Sequence, residues 1–89
     1  ANLLWNDRSL YVRFRGNQNE PLVINSKPDA SKKAINLWDG DVCEIFVAPD
    51  ARKPERYFEF EAAPTGEWID LAIPQLPDRR ETDFDYHSG

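Results

Sequence analysis

The groups in this chain whose type and spacing could do chemistry are carboxylates set among aromatic residues. The densest instance is Leu37-Trp38-Asp39-Gly40-Asp41-Val42-Cys43-Glu44-Ile45-Phe46-Val47. Glu44 follows Trp38 by six residues and sits inside an apolar run, where a carboxylate must be solvated, paired or bound to a ligand. Tyr57, Glu59 and Glu61 alternate through a second stretch, so they share one face of a strand. Trp38, Glu44, Tyr57, Glu59 and Glu61 are therefore the candidate ligand-binding set, pairing flat rings with acceptors of charge-assisted hydrogen bonds. Plain structural roles compete for the same residues. Trp38 suits a core aromatic at a strand end, Glu44 a salt bridge to Arg13, Arg15 or Arg56, and the Tyr57 face a solvated exterior paired with Arg13 and Arg15. Trp68 reads as a packing residue.

Other reactive types are sparse. Cys43 is the only cysteine, so no internal disulfide can form, and its apolar strand predicts a buried, inert thiol. One cysteine and one histidine, His87, cannot build a structural zinc site. Asp39, Asp41, Asp50 and Asp70 are hard oxygen donors of the kind calcium takes, but they follow no EF-hand spacing and read first as turn formers. Metal ligands cannot be assigned from this pattern.

Short strands must position these groups. The apolar triplet Leu3-Leu4-Trp5, a turn at Asn6-Asp7-Arg8-Ser9 and the alternating residues 10–15 predict a β-hairpin. Pro21-Leu22-Val23-Ile24 suggests an edge strand, and residues 25–33 a loop. Asp39-Gly40 predicts a turn in which Gly40 takes positive φ. From there Val42, Glu44 and Phe46 oppose Cys43, Ile45 and Val47. Residues 57–62 alternate again, with Phe58, Phe60 and Ala62 expected inward and Tyr57, Glu59 and Glu61 outward. Pro64-Thr65-Gly66 turns the chain into residues 67–73, where Ile69, Leu71 and Ile73 oppose Trp68 and Asp70. Residues 74–89 show no periodicity and predict irregular structure, unless Phe84 and Tyr86 begin an edge strand. The fold class expected is all-β, an antiparallel β-sandwich of immunoglobulin- or jelly-roll-like two-sheet architecture.

Composition narrows the partners. Eighty-nine residues allow one domain. A net charge of −5, from sixteen acids and eleven bases, repels phosphate and excludes nucleic acid and anionic membrane as natural partners. No run approaches the roughly 20 apolar residues a membrane span requires.

Three segments, in order, resemble the carbohydrate-binding family 9-like modules, non-catalytic β-sandwiches related in architecture to the DOMON superfamily. Leu4-Trp5-Asn6-Asp7-Arg8-Ser9-Leu10-Tyr11-Val12 is similar to that family's hairpin. Leu37 to Val47 is similar to its Trp, acidic turn and Glu-Ile-Phe strand. Tyr57-Phe58-Glu59-Phe60-Glu61-Ala62-Ala63-Pro64-Thr65-Gly66 is similar to its Tyr/Phe-Glu-Phe strand and Pro-x-Gly turn, with Ala63 where the family usually has Asn. The resemblance implies recognition of a sugar or polysaccharide end by an aromatic clamp, with Trp38 at one clamp position and Glu44 as a hydroxyl acceptor. It covers about the first half of such a module, so the 1–89 segment is expected to be a single, incomplete domain. It further implies an extracellular or periplasmic setting and is compatible with structural calcium.

The leading expectation is therefore a non-catalytic carbohydrate-binding module. Its main rival is a structural or protein-interaction β-sandwich. A DOMON-type haem domain would need a methionine with a histidine or lysine as axial ligands, and this chain has no methionine. A two-carboxylate glycosidase is disfavoured because no signature assigns the acid and base roles.

Overall fold

In the computed structural model, which describes residues 1–74, 79 and 81–88, five strands form two antiparallel sheets. Strands β1 (Asn2–Trp5) and β2 (Leu10–Arg13) make a two-stranded sheet. Strands β3 (Cys43–Val47), β4 (Tyr57–Ala62) and β5 (Trp68–Ile73) make a three-stranded one in the order β3-β4-β5. This is the all-β arrangement of a small, partial β-sandwich. Among the described residues the only helical element is a single 3-10 turn, Leu37–Asp39.

Turn chemistry fixes both hairpins. Asn6 Oδ1 accepts the backbone N–H groups of Arg8 and Ser9 at 2.9 and 2.8 Å, so Trp5 comes to face Leu10. Gly66 takes φ +88°, a conformation that disfavours side chains, and donates its N–H to the Ala63 carbonyl at 3.0 Å. The turn sets Glu61 opposite Ile69 and Phe60 opposite Asp70.

The approach to β3 differs from the sequence expectation. Gly40 has φ −109°; the left-handed residue is Asn36, at +63°. Glycine is required at 40 because a Cβ there would lie 2.7 Å from the Val23 carbonyl oxygen. The chains approach closely because Asp41 N–H donates to that oxygen at 2.8 Å, while Asp41 Oδ2 accepts the Val23 N–H at 2.8 Å. Residues 21–24 therefore dock on the Asp41 turn through backbone groups and form no strand.

The core sits on one face of the larger sheet, in the row Ile69, Leu71 and Ile73, with Leu37 and Tyr57 packed against it. Residues directly opposite in an antiparallel ladder share a face, so Glu61, Glu59 and Tyr57 lie on this same face. The expected orientation of β4 is thus corrected. Glu61 is buried, whereas Ala62 is exposed and Phe58 and Phe60 are half-buried. The other face meets β2: Leu10, Val12 and Phe14 border a cavity of about 250 Å³ with Ile45, Phe60 and Ala62. A sheet covered on both faces gives no simple inside-outside alternation. Cys43, at the start of an edge strand, is exposed, against the expected buried thiol.

Among the described residues, three buried aliphatic side chains, at about 1.5–3 kcal/mol each, make a thin core. The radius of gyration, 14.4 Å, exceeds the roughly 12 Å typical of a compact 89-residue domain. The small hairpin accounts for part of this looseness, with Leu4 72% and Trp5 76% exposed. A polar hub compensates at the other end. The Lys33 ammonium, buried beside β5, pairs with Asp70 Oδ1 at 2.9 Å and donates to the carbonyls of Asp70, Phe84 and Tyr86. Asp70 Oδ2 in turn accepts the N–H and hydroxyl of Ser88, each at 2.8 Å. The C-terminal segment is held by this hub, by an Ala72–Asp83 bridge and by Phe58 against Tyr86 at 4.9 Å. It stays irregular as expected; residues 75–78, 80 and 89 of that expectation lie outside the described residues.

Candidate functional site

Register alone assembles the acidic centre. Glu44 of β3 lies directly opposite Glu61 of β4, and Glu59 is two residues along the same face. One carboxylate oxygen from each of the three falls within 4.8 Å of the other two. Exposure grades across the trio, from exposed Glu44 through half-buried Glu59 to Glu61, which is 3% exposed. Like charges opposite each other across a ladder are destabilising, so the arrangement works against stability as it stands.

The cost falls on Glu61. Neither of its oxygens receives a hydrogen bond from any protein donor. Burial, the hydrogen-bonded approach to Glu59 and the charges of Glu44 and Glu59 push its carboxyl from the ordinary 4.5 to about 8. At neutral pH, with no ligand, Glu61 therefore carries a proton for which Glu59 is the acceptor. No ion pair among the described residues reaches the trio. The bridge to Arg13 considered above is absent, because Arg13 instead donates to Asn2 Oδ1 at 3.1 Å.

An aromatic pair adjoins the acids. Phe46 lies opposite Glu59, is 54% exposed and meets Tyr57 edge-to-face at 5.6 Å. Phe46 joins the candidate set here, as its place two residues after Glu44, on the same face, already implies. Trp38 is not sealed in the interior: it is 41% exposed, its ring 6.5 Å from that of Phe84. Its neighbour Leu37 packs on the Ile69–Leu71–Ile73 row, which places the 3-10 turn over the face that carries the acids. Phe84 follows the bridge to β5, so the indole stands on the β5 side of the sheet, with β4 between β5 and β3. The structure thus gathers Glu44, Glu59, Glu61 and Tyr57 and sets Trp38 on the opposite rim. Trp68 is a packing residue, its indole N–H donating to the Ala30 carbonyl at 3.0 Å.

Four other acids, Asp41, Asp50, Asp70 and Glu67, have structural work. Asp41 is held below the ordinary carboxylate range by the Val23 N–H and then by Gln18, and Asp50 by Arg52. Burial raises the Asp70 carboxyl, but Lys33 and Ser88 together outweigh it and the net shift is downward. Buried Glu67 accepts from Thr65 Oγ1 at 2.8 Å and Asn25 Nδ2 at 3.4 Å. No described helix is long and apolar enough to cross a membrane. Set against family models, curated proteins and solved structures, the chain has no significant match.

Proposed function

We propose that the face of the larger sheet bearing Glu44, Glu59 and Glu61 binds a carbohydrate without catalysis. A pyranose offers an apolar C–H face for stacking and a rim of hydroxyl donors, and this surface supplies both complements. Phe46 and Tyr57 give an aromatic edge beside the acids, and Trp38 gives a second, partly exposed ring across the face. The segments similar to carbohydrate-binding family 9-like modules are the ones that supply Trp38, β3 and β4. The observation that carries the reading is the convergence of three carboxylates, which no ion pair among the described residues reaches, beside exposed aromatic rings.

The test is isothermal titration with mono- and oligosaccharides. Wild type is expected to bind, with Glu44→Gln and Phe46→Ala each weakening binding about tenfold or more and Trp38→Ala weakening it less. Equal heats across all variants would remove the site. Hydrolysis of aryl glycosides would overturn the non-catalytic role. A second reading, a protein-interaction β-sandwich, is favoured by the exposed apolar side chains of Leu4 and Trp5. Loss of self-association or partner binding in a Leu4→Ser, Trp5→Ser variant, with no saccharide binding in wild type, would support it.

A further inference from the structure

We propose that the outer edge of β3 docks an extended, basic segment of a partner protein, which adds to the larger sheet as a further antiparallel strand. The inference goes beyond carbohydrate recognition and does not depend on it. Strand register decides which backbone groups stand free. A residue in an antiparallel ladder sends its N–H and carbonyl to one side, and its chain neighbours send theirs to the other. The Ala63 N–H donates to the Glu67 carbonyl at 2.9 Å. Glu61, Glu59 and Tyr57 are in phase with Ala63 and address β5, while Ala62, Phe60 and Phe58 address β3. Their partners there are Cys43, Ile45 and Val47. Glu44 and Phe46 therefore turn both N–H and carbonyl outward, and no backbone group among the described residues bonds them. The far edge of the sheet is closed by comparison: the outward carbonyls of Trp68, Asp70 and Ala72 are taken by Ala34, Lys33 and Asp83.

Free backbone groups define where a strand adds, and side chains define which strand it is. A residue paired with Glu44 shares its face, with Cβ atoms roughly 5 Å apart, close enough for a lysine or arginine to meet the exposed carboxylate. Glu59 and Glu61 stand next on that face, and no ion pair among the described residues reaches any of the three. The residue paired with Phe46 meets an exposed ring, which suits an aromatic partner. The residue between these two falls on the other face beside half-buried Ile45, which suits a β-branched one. Charge rejects the other occupant that an open edge invites, a second copy of this chain. Pairing β3 with β3 brings two sets of Glu44, Glu59 and Glu61 to one seam, on chains of net charge −5, and like charges across a ladder destabilise it. β3 carries neither proline nor lysine, the usual guards of an edge. Its acid alone keeps it from its own kind, and leaves it open to a basic strand.

The experiment is fluorescence anisotropy of a labelled peptide, Thr-Tyr-Val-Lys-Val-Lys-Thr, titrated with the intact chain at low salt and neutral pH. Antiparallel addition sets its tyrosine opposite Phe46 and its first lysine opposite Glu44. Saturable one-to-one binding is expected, weakened by added salt and weakened about tenfold or more when both lysines are replaced by glutamate. N-methylation separates strand addition from charge attraction alone. Methylating the tyrosine and first-lysine nitrogens, which face β3, should abolish binding, while methylating the valine between them should leave it within about twofold. Glu44→Lys should lose the lysine peptide and gain the glutamate one. That variant relieves the crowded acids and should melt no lower than wild type, so lost binding cannot be ascribed to unfolding. Absence of saturable binding up to about 1 mM would overturn the inference. An equal loss on methylating any of the three nitrogens, or equal affinity of Glu44→Lys for the two peptides, would also overturn it. A dimer of the chain that the peptide dissociates would put a second copy on the edge and overturn it likewise. If the peptide binds and no saccharide does, the docking edge stands and the carbohydrate reading falls; the reverse result removes the docking edge alone.

Discussion

Glu61→Gln preserves the shape of a buried side chain while removing its ability to ionise, and the consequence for stability can be worked out from the trio. Unfolded, Glu61 titrates near 4.5; folded, burial and then Glu59 and Glu44 raise its carboxyl to about 8. Between these values the folded chain holds a proton that the unfolded chain has lost. Stability is then fully present below pH 4.5 and drains away as pH rises through about 8. The interval of 8 − 4.5, or 3.5 pH units at roughly 1.4 kcal/mol each, bounds the loss at about 5 kcal/mol. That is a large fraction of the roughly 5–15 kcal/mol available to a small domain. Glutamine does not titrate, so the variant should lack this decline. The two proteins should be nearly equal at pH 4.5 and diverge in the variant's favour toward pH 8. Urea denaturation followed by tryptophan fluorescence, at several pH values, measures the difference. Parallel profiles, or wild-type stability that rises between pH 5 and 8, would refute the account of Glu61.

Lys33→Met removes the cation from a buried pair and strands Asp70 among carbonyls; a loss of about 3–5 kcal/mol by urea denaturation is expected. The depressed Asp70 carboxyl contributes stability that is present above its ordinary value of 3.8 and lost as pH falls through its lower folded value. An acid limb should therefore appear in wild type and be absent from Lys33→Met. Gly40→Ala drives a Cβ against the Val23 carbonyl and should destabilise by about 1–3 kcal/mol, read as a lowered melting temperature.

Much of the fold is legible in local sequence because short-range chemistry writes it. Asn6 announces the first hairpin through its side-chain acceptor, and Pro64-Thr65-Gly66 announces the second. The acidic trio follows once β3 and β4 are paired, since Glu44 and Glu61 meet at one rung. The burial of Glu61 is not legible. Alternation of Phe with Glu suggests a dry side and a wet side, and that rule fails when both sides of a sheet are covered. The Lys33 hub is hidden for another reason: its acceptors lie 37 to 53 residues away, and no local pattern joins them. Gly40 is recognisable as a required glycine, but the requirement comes from the Val23 carbonyl passing beside it, a contact across seventeen positions.

The account rests on the claim that ligands gather at the carboxylates joining β3 to β4. Chemical-shift mapping on isotopically labelled protein, titrated with a saccharide panel, tests it most directly. The account predicts shifts concentrated at Glu44, Phe46, Tyr57, Glu59 and Glu61. Shifts confined to the β1–β2 hairpin, or an unchanged Glu44 at saturating saccharide, would contradict it.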